Sequence, residues 1–109
     1  MTNYRTGDLL LVTFPFVLGD RGKQRPALVL IDARDDDVLL ARVTTQDRHT
    51  LFDVRITEWQ DAGLLAPSVV RLHKLATIQK SLVKRHLGSL SEKDRTSVAS
   101  VLAQLWQAW

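Results

Sequence analysis

Two short apolar segments joined by a polar, glycine-containing loop impose the strongest constraint on how this chain can fold. They occupy residues 7–30, GDLLLVTFPFVLGDRGKQRPALVL. Each apolar run is too short for a stable helix, and Pro15 stops the first one, so both are typical of buried strands. Pro26 disfavours helical geometry at Arg25 and can begin a strand but not lie at its centre. The pattern therefore predicts two strands, with Arg25 held extended where the loop meets the second.

The next residues extend this pair into an antiparallel meander. Three consecutive aspartates at positions 35–37 predict a turn, and VLLARVTT at positions 38–45 predicts a third strand. FDVRI at positions 52–56 alternates apolar and polar residues, which indicates a half-buried strand with Asp53 and Arg55 facing solvent.

A short helix is expected after this strand. Thr57 is placed to cap the segment EWQDA, and Gly63 would end it. Trp59 is expected to anchor this segment in the core, because aromatic side chains are more often buried than exposed.

The last third of the chain predicts two strands and a helix. Pro67 opens SVVRLHKLATI, whose two faces are both mixed, so this strand is expected to bend between two sheet regions. A further strand at positions 83–87 ends at Gly88. Ser91 and Asp94 then have the spacing of a capping box, and apolar residues at helical spacing predict a helix over positions 92–107 that packs on a small barrel.

The composition excludes several kinds of site. A chain of 109 residues with 45% hydrophobic content is expected to form one domain with a single core. It has no cysteine, so it offers no disulfide, thiolate nucleophile or cysteine metal site. The three histidines lack metal-ligand spacing, and neither a GxSxG elbow nor a P-loop is present. We therefore expect neither a metal nor a cofactor.

The charge is unevenly distributed along the chain. Positions 1–61 carry eight Lys or Arg and ten Asp or Glu, whereas positions 62–91 carry five Lys or Arg, two His and no acid. Such a block can be a surface for a polyanion or simply a solvated strand face. The start of the chain lacks the layout of a signal peptide and no run approaches a membrane span, so a cytoplasmic protein without membrane association is expected.

Several of these motifs together resemble a known family. They are the GDLLLVTFPF strand, the Gly-containing loop, QRPALVL, a third strand ending VTTQ, and the later LLAPSVVRLHKLATIQKSLVKRHLGSLS. Their identity and order resemble the MazF/PemK family of toxin endoribonucleases over nearly the whole chain. The resemblance implies a mainly β fold, an SH3-like barrel with a C-terminal helix, forming one domain over residues 1–109. It also implies a homodimer that cleaves single-stranded RNA, including mRNA, at short motifs without a metal, as the toxin of a type II toxin–antitoxin system.

The same resemblance assigns candidate site residues. The family's catalytic arginine, which immediately precedes a proline, corresponds to Arg25. Its catalytic threonine or serine corresponds to Thr44, with Thr45 as the alternative because one register step exchanges them. The remaining candidates are RNA-binding residues chosen for charge or hydrogen-bonding capacity: Lys23, Gln24, Thr45, Gln46, Arg48, Lys74, Lys80 and Lys84.

Cleavage of RNA without a metal uses the 2′-hydroxyl as an internal nucleophile. It needs a proton acceptor, a proton donor for the leaving 5′-oxygen and positive charge on the phosphate. Arg25 can supply charge through its planar fork, and Thr44 can donate a hydrogen bond. The general base stays open, because threonine is a poor base and arginine remains protonated near neutrality. Several relatives carry an acid shortly before the Arg-Pro pair, whereas here the preceding residues are Gly22, Lys23 and Gln24, and the nearest acid is Asp20.

Three functions remain open at this point. The first is a sequence-specific endoribonuclease toxin held inactive by a cognate antitoxin that covers the loop at residues 18–24 and the basic groove. The second is a catalytically silent toxin of the same barrel class that inhibits a protein target such as gyrase. The third is a non-catalytic nucleic-acid-binding module. For the implied homodimer, the strand faces around Val70 and the terminal Trp106 and Trp109 are candidate contact surfaces.

Overall fold

The computed structural model describes residues 2–14 and 22–109. Pro15 and the first part of the polar loop, including Asp20, lie outside the described residues, and so does most of the segment at residues 18–24 that an antitoxin was expected to cover. No helix within the described ranges is long and apolar enough to cross a membrane.

The described chain is an antiparallel sheet followed by one helix. The elements are β1 (Asp8–Thr13), β2 (Gln24–Ile31), β3 (Asp37–Thr44), β4 (Asp53–Ile56), β5 (Ser68–Gln79), a 3₁₀ turn (Lys80–Leu82), β6 (Val83–Ser89) and α1 (Glu92–Trp106). The strand order is β4-β5-β3-β2-β1-β6, with every neighbouring pair antiparallel. The expected meander of the first three strands is confirmed, and so is the mainly β fold with a C-terminal helix.

Both faces of the sheet are buried, because its central strands are almost continuously apolar. Leu9 pairs with Leu28, and both belong to the hydrophobic cluster under α1, which we call the first core. The next pair, Leu10 and Ala27, belongs to a cluster on the opposite face, the second core. Neighbouring residues along a strand point to opposite faces, so one pair of strands serves both cores.

Strand β5 bends as expected, and the bend has a defined position. Its register with β3 shifts between Ala41, which pairs with Leu75, and Arg42, which pairs with Arg71. Residues 72–74 therefore form an irregularity that lets β5 contribute to both cores. Val70 lies on the first-core side and is completely buried, so its strand face is not the exposed contact surface that the sequence suggested.

The expectation of a solvent-facing Asp53 is wrong. Asp53 pairs with Arg71 across β4 and β5, and its side chain is 0% exposed. Arg71 Nε donates to Asp53 Oδ1 over 2.8 Å, and this charged partner makes the burial of the carboxylate tolerable. Arg55, two residues further on, is exposed as expected.

The short helix expected after β4 does not form. Residues 57–63 form turns with isolated backbone hydrogen bonds, such as that from the Ala62 N–H to the Glu58 carbonyl at 3.2 Å. With no helix here, Thr57 caps none, and its hydroxyl donates to Asp94 Oδ1 at 2.7 Å. Trp59 is half-buried against the first core, as expected for an anchor.

Glycine allows this turn to approach strand β6 closely. Gly63 has a φ of +87°, and a Cβ at this position would overlap the Leu87 carbonyl. A Cβ at Gly88 would likewise overlap the Ala62 carbonyl. The segment after β4 and strand β6 belong to opposite edges of the sheet, so their contact draws the two edges together.

Helix α1 begins with the expected cap, but Asp94 of this cap has a second role. The Ser91 hydroxyl accepts a hydrogen bond from the Asp94 N–H at 3.2 Å. The Asp94 carboxylate accepts from Thr57 N–H, the Thr57 hydroxyl and Glu58 N–H at 2.7–3.1 Å. Burial raises the pKa of Asp94, but these bonds outweigh burial and lower it below its usual value. Asp94 therefore ties the helix to the turn after β4.

We expect Asp94→Ala to destabilise the protein by about 3 kcal/mol, because it leaves buried backbone donors without their charged acceptor. Urea unfolding monitored by circular dichroism measures this change. Glu92→Ala, at an exposed position in the same helical turn, is the control and should cost less than about 1 kcal/mol. Equal losses in the two variants would contradict the role assigned to Asp94.

Candidate nucleic-acid interface

Strand register brings Arg25 and Thr44 together. The pairing of β2 with β3 begins with Ala27 opposite Arg42. When this antiparallel register is continued by two residues, Arg25 falls opposite Thr44. Both side chains are half-buried, and both line the same cleft of about 400 Å³. Pro26 is the third residue of β2 rather than its start, but it lies outside the register with β3.

A second depression of about 200 Å³ continues this cleft. The two depressions share Arg42, Thr44 and Gln46. Together they form what we call the cationic cleft, whose positive residues are Arg25, Arg42, Arg48, Arg71 and Lys74. No carboxylate occurs among the described residues that line it, so its surface is suited to a polyanion.

The cleft lies where the second core ends. Arg25 pairs with Val12, and Arg42 pairs with Ala27, so both arginines share a sheet face with buried apolar residues of that core. The Arg42 guanidinium lies 6.0 Å from the centre of the Phe14 ring, a distance at which an aromatic face attracts a cation. Apolar residues of the second core thus adjoin the positively charged residues of the cleft.

Thr44 ends β3 in a geometry suited to hydrogen bonding. Its hydroxyl oxygen accepts from the Gln46 N–H at 3.1 Å, which turns the chain away from the strand. A hydroxyl that accepts one bond can still donate its own proton. The Gln46 side-chain oxygen in turn accepts from the Arg48 guanidinium, so two of the predicted binding residues contact each other.

Two cleft arginines were missed by the sequence reasoning. Arg42 lies two residues before Thr44, so strand alternation alone places it on the same face. Arg71 is paired with Arg42 across β3 and β5, but the register shift in β5 hides that relation in the sequence.

The remaining predicted binding residues are spread over different places. Gln24 and Thr45 are exposed and line the cleft, whereas Lys23 is exposed beside them. Lys84 is exposed on β6, which is separated from β3 by two strands. Only part of the predicted set is therefore gathered at one surface.

The predicted RNA-binding role of Lys80 requires a correction. Its ammonium lies 2.9 Å from Asp32 Oδ1, its side chain is 8% exposed, and it also bonds to Asn3. The backbone N–H of Tyr4 donates to the same aspartate, and this bond and Lys80 outweigh burial and lower the pKa of Asp32 to about 2. Lys80 thus belongs to an ion pair beyond the far end of β2, rather than to an RNA-facing charge set.

The carboxylate of Asp53 contacts the cleft residue Arg71 but is not among the described residues that line the cleft. Burial raises the pKa of Asp53, but hydrogen bonds from Arg71 and Thr50, with the positive charge of Arg71, outweigh it and lower the pKa to about 2. Since the folded-state pKa is depressed, the ionised group stabilises the fold above about pH 4. This stabilisation is lost as the pH falls toward 2.

The described residues contain no group of three or more His, Cys, Asp or Glu side chains placed to hold a metal ion. The chemistry that the cleft itself offers is positive charge from guanidinium groups and hydrogen bonding from Thr44 and Gln46.

Solved structures of bacterial toxins share this fold. The Mycobacterium tuberculosis toxin MazF-mt6 superposes with a TM-score of 0.75 at 22% identity, covering 92% of this chain and 96% of that one. A mycobacterial endoribonuclease solved with its cognate antitoxin gives 0.74 at 19% identity, covering 94% and 93%. MazF from Deinococcus radiodurans gives 0.71 at 24% identity, covering 92% and 93%. No curated protein shows significant sequence similarity to the chain.

The sequence itself defines the family. The family model described as PemK-like, MazF-like toxin of type II toxin–antitoxin system matches residues 5–106. The match spans nearly the whole chain, and the chain therefore belongs to this toxin family, as the resemblance indicated.

We expect Arg71→Gln to raise the pKa of Asp53 above 2, because burial remains while the principal opposing partner is removed. A pH titration of the Asp53 carboxyl carbon by NMR measures the change. The pKa of Asp32, held by Tyr4 and Lys80, should stay at about 2 in the same sample. An Asp53 pKa that does not move would show that Arg71 is not its main partner.

Proposed function

We propose that this toxin is an endoribonuclease that cleaves single-stranded RNA at short sequence motifs without a metal ion. The observation that carries the proposal is the shared cleft of Arg25 and Thr44, whose described lining holds further cations and no carboxylate. Such a surface attracts phosphates and repels divalent cations. Two mycobacterial structural neighbours are endoribonucleases, which is consistent with this activity.

The proposed reaction begins with attack of a ribose 2′-oxygen on the adjacent phosphorus. The bond to the 5′-oxygen of the next nucleotide breaks, which leaves a 2′,3′-cyclic phosphate and a 5′-hydroxyl. The proton that the 2′-hydroxyl releases is balanced by the proton that the 5′-oxygen takes up. Negative charge accumulates on the phosphate oxygens during this step, so donors placed around them lower the barrier. Arg25 supplies two N–H groups and a fixed charge, and Thr44 supplies an O–H.

Neighbouring residues of the cleft would hold the flanking nucleotides. Arg42, Arg71 and Lys74 extend the positive surface along the second depression, and we assign them contacts to the phosphates of flanking nucleotides. Gln24, Thr45 and Gln46 are uncharged donors and acceptors at the rim, and we assign them contacts to base edges. Arg48 is tied to Gln46 and would orient its amide.

Two protein partners belong to the proposal. A cognate antitoxin would inactivate the toxin by covering the cationic cleft, and its binding segment would carry acidic residues to match the cleft. The Mycobacterium and Deinococcus relatives solved with antitoxins are consistent with such a partner. A homodimer is also proposed, with the exposed Trp106 and Trp109 at the end of α1 as the remaining candidate contacts.

We expect wild-type protein to cut a mixed-sequence RNA at discrete positions in EDTA, and Arg25→Ala and Thr44→Ala each to lower the rate about a hundredfold or more. Gel analysis of end-labelled RNA measures the cuts, and the products should end in cyclic phosphate. Lys84→Ala, which removes an exposed cation outside the cleft, is the matched control and should retain full activity.

Other outcomes would support the alternatives. Intact RNA together with inhibition of gyrase would favour a toxin that acts on a protein target. Binding of RNA without any cut would favour a non-catalytic module. Restoration of activity by Mg²⁺ alone would contradict the metal-independent mechanism.

A binding measurement tests the cleft separately from cleavage. For a 2′-O-methyl oligonucleotide, which lacks the nucleophile, Arg42→Gln should reduce the slope of log Kd against log salt by about 0.7 by removing one phosphate contact. Fluorescence anisotropy at several salt concentrations measures this slope. Lys84→Gln should leave it unchanged, and equal effects of the two variants would contradict the assignment of the cleft as the RNA surface.

A further inference from the structure

Three charged residues form a line across three neighbouring strands. Arg42 on β3 pairs with Arg71 on β5, and Arg71 pairs with Asp53 on β4. Like charges directly opposite each other on a sheet are destabilising, whereas opposite charges attract. The carboxylate on the far side of Arg71 therefore offsets the repulsion between the two arginines that line the cleft.

Asp53 itself does not touch the cleft. Its side chain is 0% exposed, and both of its oxygens are occupied. Oδ1 accepts from Arg71 Nε at 2.8 Å, and Oδ2 accepts from the Thr50 hydroxyl at 2.7 Å and the Thr50 N–H at 2.9 Å. A carboxylate so bound has one orientation, and it transmits that orientation to the arginine.

The guanidinium of Arg71 is held on a second side by His73. The Arg71 terminal nitrogen lies 3.4 Å from His73 Nε2, and this nitrogen can accept only when the ring is neutral with its proton on Nδ1. Nδ1 is buried and has no partner among residues 2–14 and 22–109, and the Phe52 ring packs 5.9 Å from the imidazole. Asp53 contacts Nε and His73 lies at Nη2, so the contacts with these two residues leave Nη1 for a ligand.

We propose that Asp53, anchored by Thr50, is a positioning residue that fixes Arg71 in the cationic cleft for contact with an RNA phosphate. The inference rests on the proposed function of the cleft. It adds Asp53, which is not among the residues that line the cleft. An arginine has several rotatable bonds, and fixing it before the ligand arrives reduces the entropy lost on binding. Asp53 thus acts on RNA only through Arg71.

A matched ion pair elsewhere in the chain separates positioning from general stability. Asp32 and Lys80 also form a buried carboxylate–cation pair, and the pKa of Asp32 is likewise lowered to about 2. Asp32 follows the end of β2 opposite to Arg25 and lies outside the cleft. Asp32→Asn therefore removes comparable chemistry without affecting any cleft cation.

The test is a double-mutant cycle on RNA cleavage and on binding of the 2′-O-methyl oligonucleotide. Asp53→Asn should lower kcat/KM about tenfold or more, because a small displacement of a phosphate-binding group is costly. In an Arg71→Gln background, the same substitution should have no further effect. Asp32→Asn should lower the melting temperature but leave kcat/KM unchanged at temperatures where every variant is folded.

Thr50→Ala provides a second test that retains both charges. It removes only the hydroxyl bond to Asp53 Oδ2, so it should produce a smaller loss of RNA affinity that also disappears in the Arg71→Gln background. This variant keeps the inference testable if Asp53→Asn does not fold.

The outcomes distinguish this inference from the proposed function. If Asp53→Asn or Thr50→Ala weakens RNA equally with and without Arg71, or has no effect with Arg71 present, the positioning role is overturned even if wild type cleaves RNA. If wild type cleaves no RNA but the Asp53 variants weaken oligonucleotide binding only when Arg71 is present, the nuclease function fails and the positioning role stands.

Discussion

The pairing of β3 with both β2 and β5 is the constraint on which the site depends. The β2 register brings Arg25 to the level of Thr44, and the β5 register brings Arg71 opposite Arg42. Strand β2 contributes Arg25, β3 contributes Arg42 and Thr44, and β5 contributes Arg71 and Lys74. Their hydrogen-bonded ladder converts these into one surface, held rigid by a core on each side of the sheet.

Concentrating positive charge at this surface makes the cleft cations repel one another, and a neighbouring carboxylate offsets this repulsion. Asp53 pairs with Arg71 across β4 and β5, and its pKa is lowered to about 2, so it remains ionised throughout the neutral range. Asp94 is a second buried carboxylate, but it accepts from backbone and hydroxyl groups and joins α1 to the turn after β4. In the role proposed above, the first carboxylate positions a cleft arginine, whereas the second stabilises the fold.

Much of the strand layout could be predicted, because apolar runs and turn residues are local features. The meander, the bend in β5 and the capped final helix were predicted in this way. Asp53 was misassigned because alternation reveals a polar position but not the arginine opposite it. Lys80 was misassigned because its partner Asp32 is distant in sequence. The helix expected at positions 58–62 does not form, and the local sequence did not reveal that Thr57 and Glu58 bond to Asp94, which is distant in sequence.

The sequence by itself determined the strands, the final helix and, through the Arg-Pro and VTTQ motifs, the candidates Arg25 and Thr44. The strands and the helix depend on residue type and spacing, whereas the two candidates rest on the resemblance to the toxin family. Strand alternation places Arg42 on the face of Thr44, but only the tertiary structure decided that Arg71 joins them and that Asp53 lies opposite Arg71. The three-residue shift in the β5 register is decisive here, because it depends on packing between distant segments rather than on local preference.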